Sequence, residues 1–323
     1  MKAAVHTAYG PPGMVRILDV DKPAPGRDDV LVKVHATTVN RTDCAFRSGT
    51  PRAARVVYGS LKPRANVLGS EFAGVVEAIG SGVSSFDVGD RVFGYNEGPF
   101  GAHAEYMTVP AAGSIASLPA DTTYEQAAPA TEGSHYALSI IRKAAVHAGH
   151  DVLVNGATGA IGSAAVQLVK SLGATVTAVC ATDHLELVRG LGADRVIDYT
   201  VEDFTQDAQT YDLVLDAVGK SSFARCKRLL KPHGVYCSSE LGRAAQNPAL
   251  ALITPFGRGR RVMFPIPTHD QAMVGHFKDL IESGQFTPVI DRRYPLDQIV
   301  DAYTYVEAGQ KVGNVVISVT PSG

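Results

Sequence analysis

Residues 151–180, DVLVNGATGAIGSAAVQLVKSLGATVTAVC, restrict what this chain can become more than any other stretch. A β-type run at 152–155 leads into three glycines, Gly156, Gly159 and Gly162. A helical pattern follows, with Ile161, Ala165, Leu168, Val169 and Leu172 at i, i+4, i+7, i+8 and i+11. That stripe predicts a helix packed on a sheet. Gly173 suits the left-handed residue that ends such a helix, and a second β-type run occupies 174–180. The turn between strand and helix looks built to hold a phosphate. Without a Cβ the backbone can bend sharply and approach a pyrophosphate, and the first N–H groups of the helix face the anion. The spacing G-A-T-G-A-I-G is not the strict G-x-G-x-x-G, so the flanking strand and helix carry the argument. Glycines that serve packing alone are the alternative.

Further strand candidates at 195–199, 212–217 and 234–239 alternate with helical stretches, which implies a parallel, doubly wound sheet. Residues 1–125 have another texture. Short β-type runs such as DDVLVKVHATTVN and EFAGVVEAIG are broken by turns such as VGDRVFGY, the pattern of a β-rich, barrel-like unit. After residue 268 a helical piece, DQAMVGHFKDLIESGQF, precedes a strand pair ending in KVGNVVISV. This tail is too short for a domain and is expected to complete the first one. The expected fold class is therefore α/β: a Rossmann doubly wound parallel sheet over 126–268, inserted in a β-rich domain made of 1–125 and 269–323. A length of 323 residues suits two such domains.

Composition narrows the function. No apolar run reaches the roughly 18 residues of a membrane span, and the N-terminus lacks the apolar core of a secretory signal. A net charge of −2 gives no general attraction to nucleic acid or anionic lipid. The four cysteines, Cys44, Cys180, Cys226 and Cys237, form no CxxC pair and read as buried free thiols of a reducing compartment. A cytoplasmic protein with a small-molecule substrate, and with neither membrane nor nucleic acid as partner, is expected.

The cofactor of such a turn is a dinucleotide held by Gly156, Ala157, Thr158, Gly159, Ala160, Ile161 and Gly162. An NAD site usually ends its second strand with Asp or Glu, which bonds the ribose 2′-OH. Here that strand ends in Cys180, which leaves room for a 2′-phosphate and favours NADPH, with NADH the alternative. Asp183 fits an N-cap, since Asp183 and Glu186 form a D-x-x-E capping box; a ribose ligand is its other reading. Thr182, His184 and Tyr199 are candidate phosphate or adenine contacts.

The chain resembles the zinc-free quinone oxidoreductases, zeta-crystallin-like and enone reductase-like, of the medium-chain dehydrogenase/reductase superfamily. The likeness rests on VNRTD (39–43), LGSEFAGVVEAIGSGV (68–83), FDVGDRVFGY (86–95), GAHAEYMTVP (101–110), ATEGSHYAL (130–138), NGATGAIGSAAVQLVKSLGA (155–174), LGADRVIDY (191–199) and KVGNVVISV (311–319), in that order. It implies a GroES-like catalytic domain from the two chain ends around the Rossmann domain. Zinc-dependent relatives hold their metal with a Cys, the His of a G-H-E motif and a further Cys. Here those positions are Asn40, Ser70 of Gly69-Ser70-Glu71, and the neighbourhood of Ala127. Asn and Ser do not replace thiolate and imidazole as zinc ligands, so no metal is expected.

Without a Lewis acid an ordinary alcohol is hard to oxidise, because nothing stabilises the alkoxide. A quinone or α,β-unsaturated carbonyl is easier to reduce, since the charge that hydride brings delocalises onto oxygen. The resemblance places Asn40, Asp43 and Thr131 beside the nicotinamide and the substrate, and Lys311 near the cofactor. Asn40 and Asp43 also fit a turn, and Thr131 an N-cap for a helix starting near Glu132. Tyr58 as proton donor and His135 as hydrogen-bond donor are weaker candidates than packing residues. The resemblance implies that the apolar stretch LITPFGRGRRVMFPIP (252–267) leads into the edge strand that pairs two subunits, with Arg258, Arg260 and Arg261 as a solvated face or, alternatively, as phosphate contacts. Two other readings stay open: a non-catalytic NADPH-binding, crystallin-like or RNA-contacting protein, and a zinc-type alcohol dehydrogenase.

Overall fold

The structure is a computed structural model, and it describes the chain except residues 51–54, 56–58, 257–258 and 321–323. Tyr58 and Arg258 therefore lie outside the described residues. Two compact units emerge, Met1–Glu132 with His269–Gly323, and Gly133–Thr268.

The first unit opens with β1 (Lys2–Val5) antiparallel to β2 (Arg16–Asp19). The long strand β3 (Asp29–Val39) organises the rest. Its Val30, Val32 and Val34 alternate with period two, and all three are fully buried. One edge of β3 pairs with β4 (Glu71–Ile79), which pairs with β5 (Arg91–Tyr95). The other edge takes β6 (Tyr106–Pro110) over residues 29–33. β7 (Ile115–Ser117) extends the sheet from β5. A helix, Arg41–Ser48, follows β3 directly and stops at Gly49, whose φ of +65° is left-handed. The helix is short because both of its ends are capped.

The second unit is a six-stranded sheet of β8 (Asp151–Asn155), β9 (Thr175–Cys180), β10 (Arg195–Asp198), β11 (Tyr211–Asp216), β12 (Leu230–Ser238) and β13 (Arg261–Met263). Every pairing is parallel. The order β10-β9-β8-β11-β12-β13 is 3-2-1-4-5-6 counted within the unit, the doubly wound Rossmann arrangement. Its direction reverses between β8 and β11, so the turn after β8 lies at the switch point where such sheets bind ligands. The helix Ala160–Ser171 departs from the expected stripe. Gly162 to Val169 are all buried, whereas Ile161 is half-buried and Leu172 is 42% exposed. Burial of eight consecutive residues means the helix is covered on more than one face, which its small residues Gly162, Ser163, Ala164 and Ala165 allow.

The chain then returns to the first unit. The helix Gln271–Glu282 is capped by Asp270, whose carboxylate accepts from Met273 N at 2.8 Å. β14 (Ile290–Pro295) pairs parallel with β15 (Asn314–Ser318), and β15 covers residues 36–39 of β3. The helix Ile299–Glu307 buries Ile299, Ala302, Tyr303 and Val306 in the same core. Among the described residues no helix is long and apolar enough to cross a membrane.

Candidate functional site

Each unit contributes its own cluster. In the second, the three glycines of the phosphate turn have three different reasons to be glycine. Gly156 has φ +80°, and a Cβ there would meet Val218 Cγ1 at 2.3 Å. A Cβ on Gly162 would meet the Gly156 carbonyl oxygen at 2.1 Å, so this residue lets the helix press on the turn. Gly159 is the N-cap, at φ −72°, and a Cβ there would come within 4 Å of one atom only, Gly156 O at 3.8 Å. That side of the turn is open. No side chain caps the helix, and its first intrahelical bond runs from Ser163 N to Gly159 O at 2.8 Å. The N–H groups of Ala160, Ile161 and Gly162 come before that bond and project from the helix N-terminus. Ala157 is buried and Thr158 half-buried beside them. Such a turn fits a pyrophosphate.

Asp216 ties the neighbouring strand ends together. Its Oδ1 accepts from Asn155 Nδ2 at 3.0 Å, and its Oδ2 accepts from Ser221 N at 3.0 Å and Tyr236 OH at 3.1 Å. At the ends of β9 and β10, Cys180 is buried, and burial pushes its thiol up to about 11. Thr182 Oγ1 donates to Asp198 Oδ2 at 2.5 Å, His184 is half-buried and Tyr199 is 57% exposed. Asp198 escaped the sequence reading, although its place as the last residue of a strand was the available signal.

The expected capping box at Asp183 is not formed. Thr182–His184 is a turn of 3-10 helix running straight into the helix Leu185–Gly190, and neither has a side-chain cap. Asp183 therefore sits inside the turn instead of before it, exposed and without hydrogen bond or ion pair among the described residues.

In the first unit, residues far apart in sequence meet around three buried carboxylates. Asn40 and Asp43 form a capping box: Asp43 N donates to Asn40 Oδ1 at 2.8 Å and Asn40 N to Asp43 Oδ2 at 3.2 Å. The turn role foreseen for the pair is thus realised by both. Asp43 Oδ1 also accepts from Gly69 N at 3.2 Å. Asn40 Nδ2 donates to Ser70 Oγ at 2.9 Å, so the two positions that carry metal ligands in zinc-dependent relatives hydrogen-bond each other here.

Glu71 lies next to Ser70 and plugs the start of the helix Glu132–Lys143. Its Oε1 accepts from Thr131 N at 3.0 Å, Thr131 Oγ1 at 3.0 Å and Glu132 N at 2.6 Å, while Oε2 accepts from Thr38 Oγ1 at 2.6 Å. The glutamate beside it, Glu132, accepts from Thr42 Oγ1 at 2.9 Å. Burial, then the Glu71 charge, raises Glu132 to about 7, and burial also raises Asp43 and Glu71. Lys311 is half-buried and donates to Gly313 O; burial lowers its pKa while Glu132 and Glu71 pull it back up. Lys311 thus belongs to the carboxylate cluster, and the remaining cofactor candidates belong to the other unit.

His103 is sealed next to this cluster. Nε2 lies 2.7 Å from Thr38 O and Nδ1 lies 3.2 Å from Tyr303 OH, and burial lowers its pKa to about 4, so the ring is neutral. Cys44 is buried with its thiol pushed up, and His135 is buried in its helix. Among the described residues no group of three or more His, Cys, Asp or Glu is arranged to hold a metal.

Known proteins agree with this architecture. The pattern described as "Alcohol dehydrogenase GroES-like domain" matches residues 26–120, and that described as "Zinc-binding dehydrogenase" matches residues 191–317. The chain is 32% identical to a 2-methylene-furan-3-one reductase of Solanum lycopersicum, over 99% of this chain and 80% of the relative. It is 31% identical to an NADPH-dependent alkenal/one oxidoreductase of Arabidopsis thaliana, with the same coverage, and 30% identical to a quinone oxidoreductase of Pseudomonas aeruginosa over 98% and 99%. Among solved structures, the quinone oxidoreductase from Coxiella burnetii superposes with a TM-score of 0.88 at 26% identity, over 99% of each chain. The chain belongs to the quinone oxidoreductase group of the medium-chain dehydrogenase/reductase superfamily.

Proposed function

We propose that this protein is an NADPH-dependent reductase that delivers hydride to a quinone or an α,β-unsaturated carbonyl without a catalytic metal. One observation carries the reading: Asn40 and Ser70 satisfy each other at 2.9 Å where a zinc enzyme needs two soft ligands. That donor set favours acceptors already activated towards hydride. The first unit is then the catalytic domain and the second the dinucleotide domain. The open turn Gly156–Gly162 takes the pyrophosphate, and Thr182, His184 and Tyr199 surround the adenosine end. When bound, NADPH supplies the hydride. Asn40, Asp43 and Thr131 shape the wall beside the reacting atoms; all three are buried and hydrogen-bonded, so they set position more than they exchange protons.

A specific observation favours a second cofactor reading. Asp183 is freed from capping and presents an exposed carboxylate three residues past β9, so NADH through its ribose hydroxyl is the competitor. The decisive experiment is a panel of benzoquinone and an alkenal with NADPH and NADH in parallel, with metal analysis of the same sample. Turnover with NADPH, unchanged by a chelator, is expected. Stoichiometric zinc, or no nicotinamide oxidation by folded protein, ends the proposal.

A second copy of this chain is the partner proposed for the β13 edge. Val262 is buried there, but a groove of about 730 Å³ runs past Ala251, Leu252, Met263, Phe264 and Ile266, with Leu252 74% and Ile266 83% exposed. Arg260 Nε donates to Leu230 O at 2.6 Å and so helps tie this edge to the fold. Light scattering that returns a monomer would remove the dimer. The four buried, unbridged cysteines suit the reducing cytoplasm proposed as its location.

A further inference from the structure

Arg260 and Arg261 are neighbours in the sequence but differ in the structure. Arg260 is engaged by the fold through its bond to Leu230 O. Arg261, the first residue of β13, is exposed, and its guanidinium has no hydrogen bond or ion pair among the described residues. It lines a polar cavity of about 170 Å³ together with His233, Thr254, Pro255 and Gly259. No acidic residue is among these five. His233 is exposed too, and its ring has neither a hydrogen bond nor a ring contact among the described residues. Its backbone nevertheless sits at φ +67°, a left-handed conformation that glycine or asparagine takes with less strain. Strained residues of this kind gather at ligand clamps.

The frame around these two side chains is fixed. β13 pairs with β12 through Arg261 and Val235. Thr254 Oγ1 donates to Leu250 O at 2.7 Å and accepts from Val262 N at 2.9 Å, so that hydroxyl is already engaged. Nor does the cavity belong to the dinucleotide turn. Arg261 is level with Val235 of β12, Leu213 of β11 and Val152 near the start of β8. The phosphate turn follows the other end of β8, after Asn155, three strands away across the sheet.

We propose that this cavity binds a phosphate group, either as free phosphate or as the end of a phosphate monoester. The guanidinium fork matches two phosphate oxygens, the imidazole offers a further N–H, and no carboxylate competes. The volume falls below the roughly 300–1,000 Å³ that larger organic ligands fill, so it takes the charged group and not a whole nucleotide. Pro255 and Arg261 also line the apolar groove beside it, which gives the organic part of a monoester a wall to rest on. The site stands independently of the reductase reading.

Isothermal titration calorimetry of the full chain against inorganic phosphate, phenyl phosphate and acetate tests it. Arg261→Gln should weaken phosphate binding about tenfold or more, because a charged hydrogen bond is lost. His233→Asn should weaken it about threefold or more and melt no lower than wild type, since asparagine suits the left-handed backbone. NADPH affinity should stay at its wild-type value in both variants, which separates this cavity from the Gly156–Gly162 turn. Tighter binding of phenyl phosphate than of inorganic phosphate identifies a monoester as the ligand; equal binding identifies the free ion. Unchanged phosphate affinity in either variant, no saturable binding by wild type up to about 10 mM phosphate, or acetate bound as tightly as phosphate overturns the proposal.

Discussion

Two helix starts meet the same problem, their unpaired N–H groups, in opposite ways. The helix Ala160–Ser171 begins at a glycine with no side-chain cap and open space above it. The helix Glu132–Lys143 begins against the carboxylate of Glu71, reached from β4 and bonded to both Thr131 N and Glu132 N. An anion from outside the chain can take the first position; in the second, the chain supplies its own anion. The difference separates a place built to receive a ligand from a place built to hold its neighbours still.

If this contrast is right, removing the internal anion should be the most damaging change. Glu71→Ala removes the carboxylate that the N–H groups of Thr131 and Glu132 and the hydroxyl of Thr38 donate to in a buried site. A loss of about 4 kcal/mol in unfolding free energy is expected. A denaturant midpoint shift worth less than about 1 kcal/mol would show that water caps this helix as well as the carboxylate does.

The charge state of the plugged cluster gives the next effect. The folded-state pKa of Glu132, about 7, lies above the ordinary 4.5, so the folded chain binds this proton more tightly than the unfolded chain does. The stability it brings is fully present below 4.5 and is lost as pH rises through about 7, by of order 3 kcal/mol. Glu132→Gln should therefore gain on wild type as pH rises from 5 to 8, roughly that window. Chemical denaturation at the two ends of this range measures it, and parallel curves for both proteins would mean the carboxyl ionises freely.

How much of each region the sequence announces follows from the same contrast. The phosphate turn is contiguous: strand, three glycines and helix lie within residues 151–173, and their spacing reports the backbone directly. Five of the six strands of the second unit, β8 to β12, were legible to within a few residues because parallel strands carry continuous apolar runs, whereas β13 was read only as part of an apolar edge. The carboxylate cluster is assembled from contacts 26 to 90 residues apart, such as Asp43 with Gly69 and Thr42 with Glu132, and no local pattern encodes them. Glu71 was visible only as part of a motif with a missing ligand, and Glu132 only as a helix start. Asp183 shows a local signal failing: the D-x-x-E pattern was present, but a 3-10 turn took up the residue that should have stood outside the helix.

Within the phosphate turn, the three glycines can be set against one another. Gly162→Ala places a methyl 2.1 Å from the Gly156 carbonyl oxygen, a contact with backbone that cannot rotate away. It should cost about 2 kcal/mol of stability and weaken NADPH binding as a consequence of the displaced turn. Equal melting curves for wild type and variant would mean the helix can slide outward at no cost.

Gly159→Val is the sharper probe because the fold has no stake in it. The residue has ordinary backbone angles, and nothing but Gly156 O comes within 4 Å of an added Cβ. Stability should therefore stay within about 0.5 kcal/mol of wild type. The branched side chain would stand where the pyrophosphate approaches the helix N-terminus, and NADPH affinity should fall about tenfold or more, some 1.4 kcal/mol. Fluorescence titration of the nicotinamide against both proteins reads this directly. A weakened affinity with an unchanged melting curve can arise only if a ligand occupies the open side of the turn. An unchanged affinity would mean that the N–H groups of Ala160, Ile161 and Gly162 face nothing but water, and the contrast between the two helix starts would carry no functional meaning.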